Sequence, residues 1–160
     1  MPTVKEFLAS LREARQQWEE VLSEIAETEM AEPGTMGDDW SVKDVVAHIA
    51  WFERQALGIL QAGALVGSDL WNLPTDERNA AVFELVRART LSDVLDDAAD
   101  SYARLEAAIA GLSHEQLNDP AHFEGMPADW KPYDILAQNS TEHYEHHTAD
   151  LRAWLDQSED

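Results

Sequence analysis

Three histidines near the C-terminal end of the chain could bind a metal ion: His143, His146 and His147. With helical spacing, His143 and His147 lie on one face together with Leu136 and Leu151, so this face is otherwise apolar. Two imidazoles at positions i and i+4 can bind the same ion. Because burying imidazoles without partners costs free energy, we predict a divalent cation as their partner. His146 is the alternate ligand, since i+3 spacing also permits it.

The predicted third ligand, His48, lies far from the other two along the chain. It falls between Val45 and Phe52 on another periodic segment and therefore faces the core or its edge. Metal sites in helix bundles are formed by side chains of facing helices. Three neutral imidazoles suit zinc, nickel, iron or copper rather than calcium or magnesium. We predict a site formed by His48, His143 and His147, with a coordination position open for chemistry.

Other residues offer weaker candidates for catalysis. Tyr144 could donate a proton, and Glu53 could accept a hydrogen bond from a metal ligand. An ordinary place at the core edge or on the surface explains these two residues equally well, and core packing is also the competing interpretation of each histidine. The chain has no cysteine, and it contains no glycine-rich phosphate loop or serine nucleophile motif.

Long segments with helical periodicity must position these residues. Capping residues precede three of them at Thr3, Ser41 and Thr90, and Pro132 begins the last. The pattern predicts an all-α fold, a four-helix bundle with an additional short helix and a long loop before the last helix. The predicted helices cover residues 4–27, 42–62, 75–89, 91–110 and 132–156. The 160 residues suit a single domain, 1–160, with about 156–160 as a frayed tail.

The charge of the chain is strongly negative. Eleven lysines and arginines stand against 32 aspartates and glutamates, which gives a formal net charge of −21. Nucleic acids and anionic membrane surfaces are bound through lysine and arginine, so we expect neither as a partner. No apolar run approaches the ~20 residues of a membrane span, and the N-terminus lacks the apolar region of a signal peptide. We therefore expect a cytoplasmic protein whose partner is a small molecule.

Two segments resemble a known family. The stretch WSVKDVVAHIAWFE (Trp40–Glu53) resembles the histidine segment of DinB-like four-helix bundles, and HYEHHTADLRAWL (His143–Leu155) resembles their closing H-x-x-x-H helix. Residues 78–117 are similar to the ClbS/DfsB-type branch. The resemblance covers nearly the whole chain. It implies that His48, His143 and His147 match the family's metal triad, usually of zinc or nickel, and that the protein can form a homodimer.

The same resemblance implies a choice of functions. The superfamily includes thiol-dependent enzymes, among them mycothiol-dependent maleylpyruvate isomerase and bacillithiol transferases, while the ClbS branch protects against a cyclopropane-bearing genotoxin by hydrolysis. Because some members of that branch lack the triad that this chain keeps, we do not extend that hydrolysis to it. We expect a metal-dependent transferase, isomerase or hydrolase that acts on a small toxic or stress-related molecule and could use a low-molecular-weight thiol. The alternative is a non-catalytic bundle that sequesters a small molecule, with a structural metal or none.

Overall fold

The computed structural model describes residues 1–158, and this part of the chain is helical without any β-strand. The predicted all-α bundle is confirmed. A single isolated bridge pairs Ala64 with Glu124, and short 3₁₀ turns occupy Asp69–Asn72 and Pro120–His122. The helices are α1 (Val4–Ser23), α2 (Glu27–Met30), α3 (Val42–Ala62), α4 (Thr75–Val86), α5 (Leu91–Ala110), α6 (His114–Asn118), α7 (Pro132–Gln138) and α8 (Thr141–Ser158).

The four long helices α1, α3, α5 and α8 form the bundle. Helix α3 packs on α5 and α1 packs on α8, while contacts of α1 with α5 and of α3 with α8 close the ring. Each long helix buries one apolar face, as its periodicity predicts. Side chains that are almost fully buried include Trp18, Ile49, Leu105 and Leu151, one from each helix. No helix in residues 1–158 has the length and apolar character that crossing a membrane requires.

Local signals fix the ends of α3, the helix that carries His48. The hydroxyl of Ser41 accepts a hydrogen bond from the Asp44 amide at 3.1 Å, and the Asp44 carboxylate accepts one from the Ser41 amide at 3.0 Å. This reciprocal pair satisfies two amides that the helix itself leaves without partners. At the other end Gly63 adopts the left-handed conformation, with φ at 61°, which terminates the helix.

The last helix is not continuous, although the sequence predicted one helix over 132–156. It is interrupted at Asn139 and Ser140, between α7 and α8. There the Asn139 side-chain amide donates to the carbonyl of Ile135 at 2.9 Å, and the Ser140 hydroxyl donates to the carbonyl of Leu136 at 2.5 Å. Side-chain hydrogen bonds of this kind compete with the helical backbone ladder. The interruption therefore has a local cause that the apolar periodicity does not report.

Three other boundaries differ from prediction. Helix α1 ends at Ser23 rather than at residue 27, and the separate turn α2 follows. Helix α4 ends at Val86 rather than at residue 89, and its most buried side chain is Val82. Helix α8 extends to Ser158, so the expected frayed tail begins as helix, and its last two residues lie outside the described range.

Candidate metal centre

The rings of His48, His143 and His147 meet between α3 and α8. The Nε2 atom of His143 lies 3.0 Å from Nε2 of His48 and 3.0 Å from Nε2 of His147. His48 is 95 residues away from His143 in sequence, so only the packing of α3 against α8 brings them together. We call these three side chains the histidine cluster. Their predicted role as metal ligands stays a prediction, but one candidate ligand atom from each ring lies within 4.8 Å of the other two.

The donor set of the histidine cluster fits a transition-metal ion. Two nitrogen ligands of a tetrahedral zinc ion, each at ~2.0–2.1 Å from the metal, lie about 3.3 Å apart. The two separations that involve His143, both 3.0 Å, are within a few tenths of an ångström of that value, and the ligand atoms of His48 and His147 lie within 4.8 Å of each other. Burial and the neighbouring histidines lower the pKa of His48 to about 3, of His143 to about 2 and of His147 to about 4. At neutral pH all three rings are therefore uncharged, the form that binds a metal.

Aromatic side chains surround the histidine cluster. The Phe52 ring lies 4.7 Å from the His48 ring and 4.8 Å from the His143 ring, centroid to centroid. The Trp40 ring lies 5.5 Å from the His48 ring, nearly perpendicular to it. These apolar rings pack on the imidazoles and limit the access of water to them.

A cavity of about 290 Å³ opens from the histidine cluster to solvent, and we call it the entrance cavity. Its lining includes His48, His147, Asp38 and Asp150. The Asp150 carboxylate lies 3.6 Å from Nδ1 of His147, on the side of the ring opposite to the Nε2 atom that faces His143. A carboxylate in this place favours the tautomer with the proton on Nδ1 and leaves Nε2 free for a metal ion.

The alternate ligand His146 lies outside the histidine cluster. Its side chain is 70% exposed and its Nε2 atom lies 3.5 Å from the Asp150 carboxylate. His147 is instead only 15% exposed and contributes its Nε2 atom to the cluster. The sequence left open whether His146 or His147 joins His143. The structure brings His147, at the i, i+4 spacing, together with His143 and His48.

Glu53 and Tyr144, the weaker candidates for catalysis, are buried in a polar network inside the bundle. Both side chains have no exposed surface. Arg15 on α1 donates to the Tyr144 hydroxyl at 2.8 Å, and Ser101 on α5 donates to Glu53 at 3.3 Å. Neither Glu53 nor Tyr144 lines the entrance cavity. Sequence reasoning missed Arg15, although its helical spacing from the buried Trp18 could have indicated it.

Burial makes the Glu53 carboxyl group a weaker acid than usual. Removal from water raises its pKa to about 7, and this effect outweighs the opposing influence of Tyr144, Arg15 and Ser101. A carboxyl group whose pKa is raised on folding stabilises the folded state below its unfolded pKa. That contribution is lost as the pH rises from about 4.5 through about 7.

Other proteins of known structure share this fold. A protein from Streptococcus pneumoniae is 15% identical with a TM-score of 0.82, over 98% of this chain and 92% of its own. DfsB, described as a sibling lethal factor precursor, is 14% identical with a TM-score of 0.79, over 99% of this chain and 98% of its own. The colibactin self-resistance protein ClbS is also 14% identical with a TM-score of 0.79, over 98% of both chains. No curated protein sequence matches the chain.

One of these structures corrects a prediction. ClbS was crystallised in complex with a double-stranded DNA. Our exclusion of nucleic acid as a partner, which rested on the net charge of −21, is therefore wrong. The physical reason is that net charge sums the whole surface, whereas contact with a duplex depends on the local arrangement of the groups that reach it.

The Glu53→Gln variant should be more stable than the wild-type protein at alkaline pH. Glutamine resembles the protonated carboxyl group and does not ionise, so the difference in free energy of unfolding should grow between pH 4.5 and about 7 and reach on the order of 3 kcal/mol above that range. Urea unfolding from pH 4 to pH 9 measures it. Glu13→Gln, at an exposed position of α1, is the control. Parallel stability curves for Glu53→Gln and the wild type would show that Glu53 ionises normally.

The sequence itself assigns the family. The profile of the mycothiol maleylpyruvate isomerase N-terminal domain matches residues 11–152, which is most of the chain and includes the whole histidine cluster. This match agrees with the DinB-like bundle that the structure shows and with the shared fold of DfsB and ClbS. The chain therefore belongs to the mycothiol maleylpyruvate isomerase N-terminal domain family, as the resemblance to DinB-like bundles predicted.

Proposed function

We propose that the protein is a metal-dependent enzyme in which His48, His143 and His147 bind one divalent transition-metal ion, zinc or nickel. The observation that carries this proposal is the convergence of three neutral Nε2 atoms, with two separations of 3.0 Å, beside a cavity open to solvent. Three protein ligands would leave a zinc ion able to bind a further ligand, and the cavity beside His48 and His147 would give that ligand access. The proposed reaction is transfer, isomerisation or hydrolysis of a small molecule.

When bound, the ion would supply a Lewis acid that makes water or a thiol nucleophilic near neutral pH. Residues of this chain would orient the metal ligands and exclude solvent. Asp150 holds the proton of His147 on Nδ1, and Phe52 and Trp40 keep solvent away from the ring faces. The entrance cavity of about 290 Å³ has room for a small substrate beside His48 and His147.

A low-molecular-weight thiol is the proposed second reactant. Its support is the family, which is named for a mycothiol-dependent isomerase. Such thiols are kept reduced in the cytosol, so a cytoplasmic location is part of the same proposal. A homodimer and a role in stress or detoxification likewise stay predictions, supported by the resemblance to DinB-like proteins.

Metal content is the first measurement. Elemental analysis of the purified protein should find about one zinc or nickel ion per chain, and a chelator should lower the melting temperature. His48→Ala should abolish both effects. His146→Ala is the matched control, because this histidine lies on α8 but outside the histidine cluster. Absence of stoichiometric metal from the wild type, or equal loss from both variants, would contradict the proposed site.

Asp150→Asn tests the orientation of His147. An amide in place of the carboxylate should weaken zinc binding by about 10- to 100-fold, because the proton on Nδ1 loses its charged partner. Competition with a chromophoric chelator measures the affinity. Glu145→Gln removes one negative charge from an exposed position of the same helix and should leave the affinity nearly unchanged. If Asp150→Asn and Glu145→Gln weaken zinc binding equally, Asp150 contributes only its negative charge, and the proposed orientation of His147 is contradicted.

A second candidate function is capture of a small molecule without turnover. It is favoured by the burial of Glu53 and Tyr144, which leaves both weaker candidates for catalysis outside the entrance cavity. Incubation of the zinc-loaded protein with mycothiol and maleylpyruvate distinguishes the two functions. Product formation that His48→Ala abolishes and His146→Ala preserves is the result expected for the enzyme. A raised melting temperature without product would support capture instead.

A further inference from the structure

A second cavity, larger than the entrance cavity, shares no lining residue with it and has no role in the function proposed above. Its volume is about 450 Å³, and it lies between the segment 65–72 and helix α7. Its apolar lining includes Trp71, Trp130, Val66 and Ile135. We call it the tryptophan cavity. Its volume is in the range of small-molecule binding sites, which are mostly apolar and carry a few polar groups.

One side of the tryptophan cavity is held rigidly. The indole nitrogen of Trp71 donates to the side-chain oxygen of Gln55 at 3.1 Å, and the Ser68 amide donates to the same oxygen at 3.0 Å. The Arg78 guanidinium lies 4.5 Å from the centroid of the Trp71 ring. Gly67 packs so closely that a Cβ atom there would lie 2.8 Å from Trp71 Cδ1. A ring fixed in this way loses little further freedom when a ligand binds.

The other side of the tryptophan cavity exposes apolar surface. Trp130 is 44% exposed and Val66 is 47% exposed. Among residues 1–158 only four large hydrophobic side chains are exposed, and two of them line this cavity. Exposed apolar surface concentrated at a cavity marks a binding site more often than scattered exposure does. A flat apolar ligand would cover this surface.

The charge of the lining limits the ligand further. Asp69 is the one charged residue that lines the cavity in the part of the chain that the structure describes. No lysine, arginine or histidine is among these lining residues. Asn139 is only 8% exposed, and since its amide nitrogen donates to Ile135, its side-chain oxygen can accept a hydrogen bond. An anionic ligand would meet Asp69 and the field of a chain with net charge −21. The Arg78 guanidinium, which packs on the Trp71 ring, does not line the cavity and already donates to the carbonyls of Leu70, Trp71 and Leu73.

We propose that the tryptophan cavity binds a flat aromatic molecule that carries no negative charge, with its ring against Trp71 and Trp130. This site is distinct from the histidine cluster, because the tryptophan cavity and the entrance cavity share no lining residue. The Phe52 ring contacts both regions, at 5.5 Å from the Trp71 ring and 4.8 Å from the His143 ring, centroid to centroid. The proposal does not require the histidine cluster to bind metal.

Two related dyes test the proposal on the full-length protein. N-phenyl-1-naphthylamine is uncharged, and 8-anilinonaphthalene-1-sulfonate has the same aromatic rings with an added sulfonate. Fluorescence titration should show saturable binding of the uncharged dye and at least tenfold weaker binding of the sulfonate. Trp130→Ala should weaken binding of the uncharged dye by about tenfold, because one aromatic contact is lost. Leu85→Ala, which removes an exposed apolar side chain that does not line this cavity, should not.

A metal-free sample separates this site from the histidine cluster. Treatment with a chelator, and His48→Ala, should leave the affinity for the uncharged dye unchanged, whatever the metal content of the protein. Circular dichroism verifies that Trp130→Ala is folded. Equal binding by Trp130→Ala and Leu85→Ala, equal affinity for the two dyes, or loss of binding after chelation would each overturn the proposal.

Discussion

The packing of α3 against α8 is the contact on which the candidate site depends. It places the buried His48 ring next to His143 and His147, whose own spacing along α8 already aligns them. The Nδ1 atoms of His48 and His143 are buried and lack a hydrogen-bond partner among the described residues. Each such group costs about 1–3 kcal/mol. The rest of the bundle must offset this cost, and a core of aromatic and aliphatic side chains from all four long helices does so.

The interior of the bundle contains two groups of polar side chains, one open to solvent and one enclosed. The histidine cluster communicates with solvent through the entrance cavity, while Arg15, Glu53 and Tyr144 are enclosed between α1, α3, α5 and α8. The Arg15 guanidinium also lies 4.6 Å from the centroid of the Tyr102 ring, so its charge is surrounded by aromatic and carboxyl groups. Tyr144 follows His143 on α8, so this enclosed network contacts the same helical turn as the histidine cluster. Of the two groups, the histidine cluster is the one that a substrate can reach through the entrance cavity.

Local features were predicted well from the sequence, and features that depend on packing were not. The capping residues Thr3 and Ser41 act within one turn, so a short pattern is enough to identify them. The inward position of His48 also followed from its apolar neighbours. The buried pairing of Arg15 with Tyr144 joins residues 129 positions apart, and the tryptophan cavity combines an irregular segment with α7, so neither has a periodic pattern. Net charge failed as a guide to partners because it carries no information about position.

Because the helix is interrupted at Asn139 and Ser140, the rotation of α8 about its axis is not fixed by that of α7. An α-helix turns by about 100° per residue, so one inserted residue within α8 between His143 and His147 would rotate one ring away from the other. The same insertion at the interruption would leave the spacing of the two histidines intact and would be absorbed by the irregular backbone. The length of the chain before α8, including the α7 residues that line the tryptophan cavity, can thus change without altering the spacing of the histidines on α8.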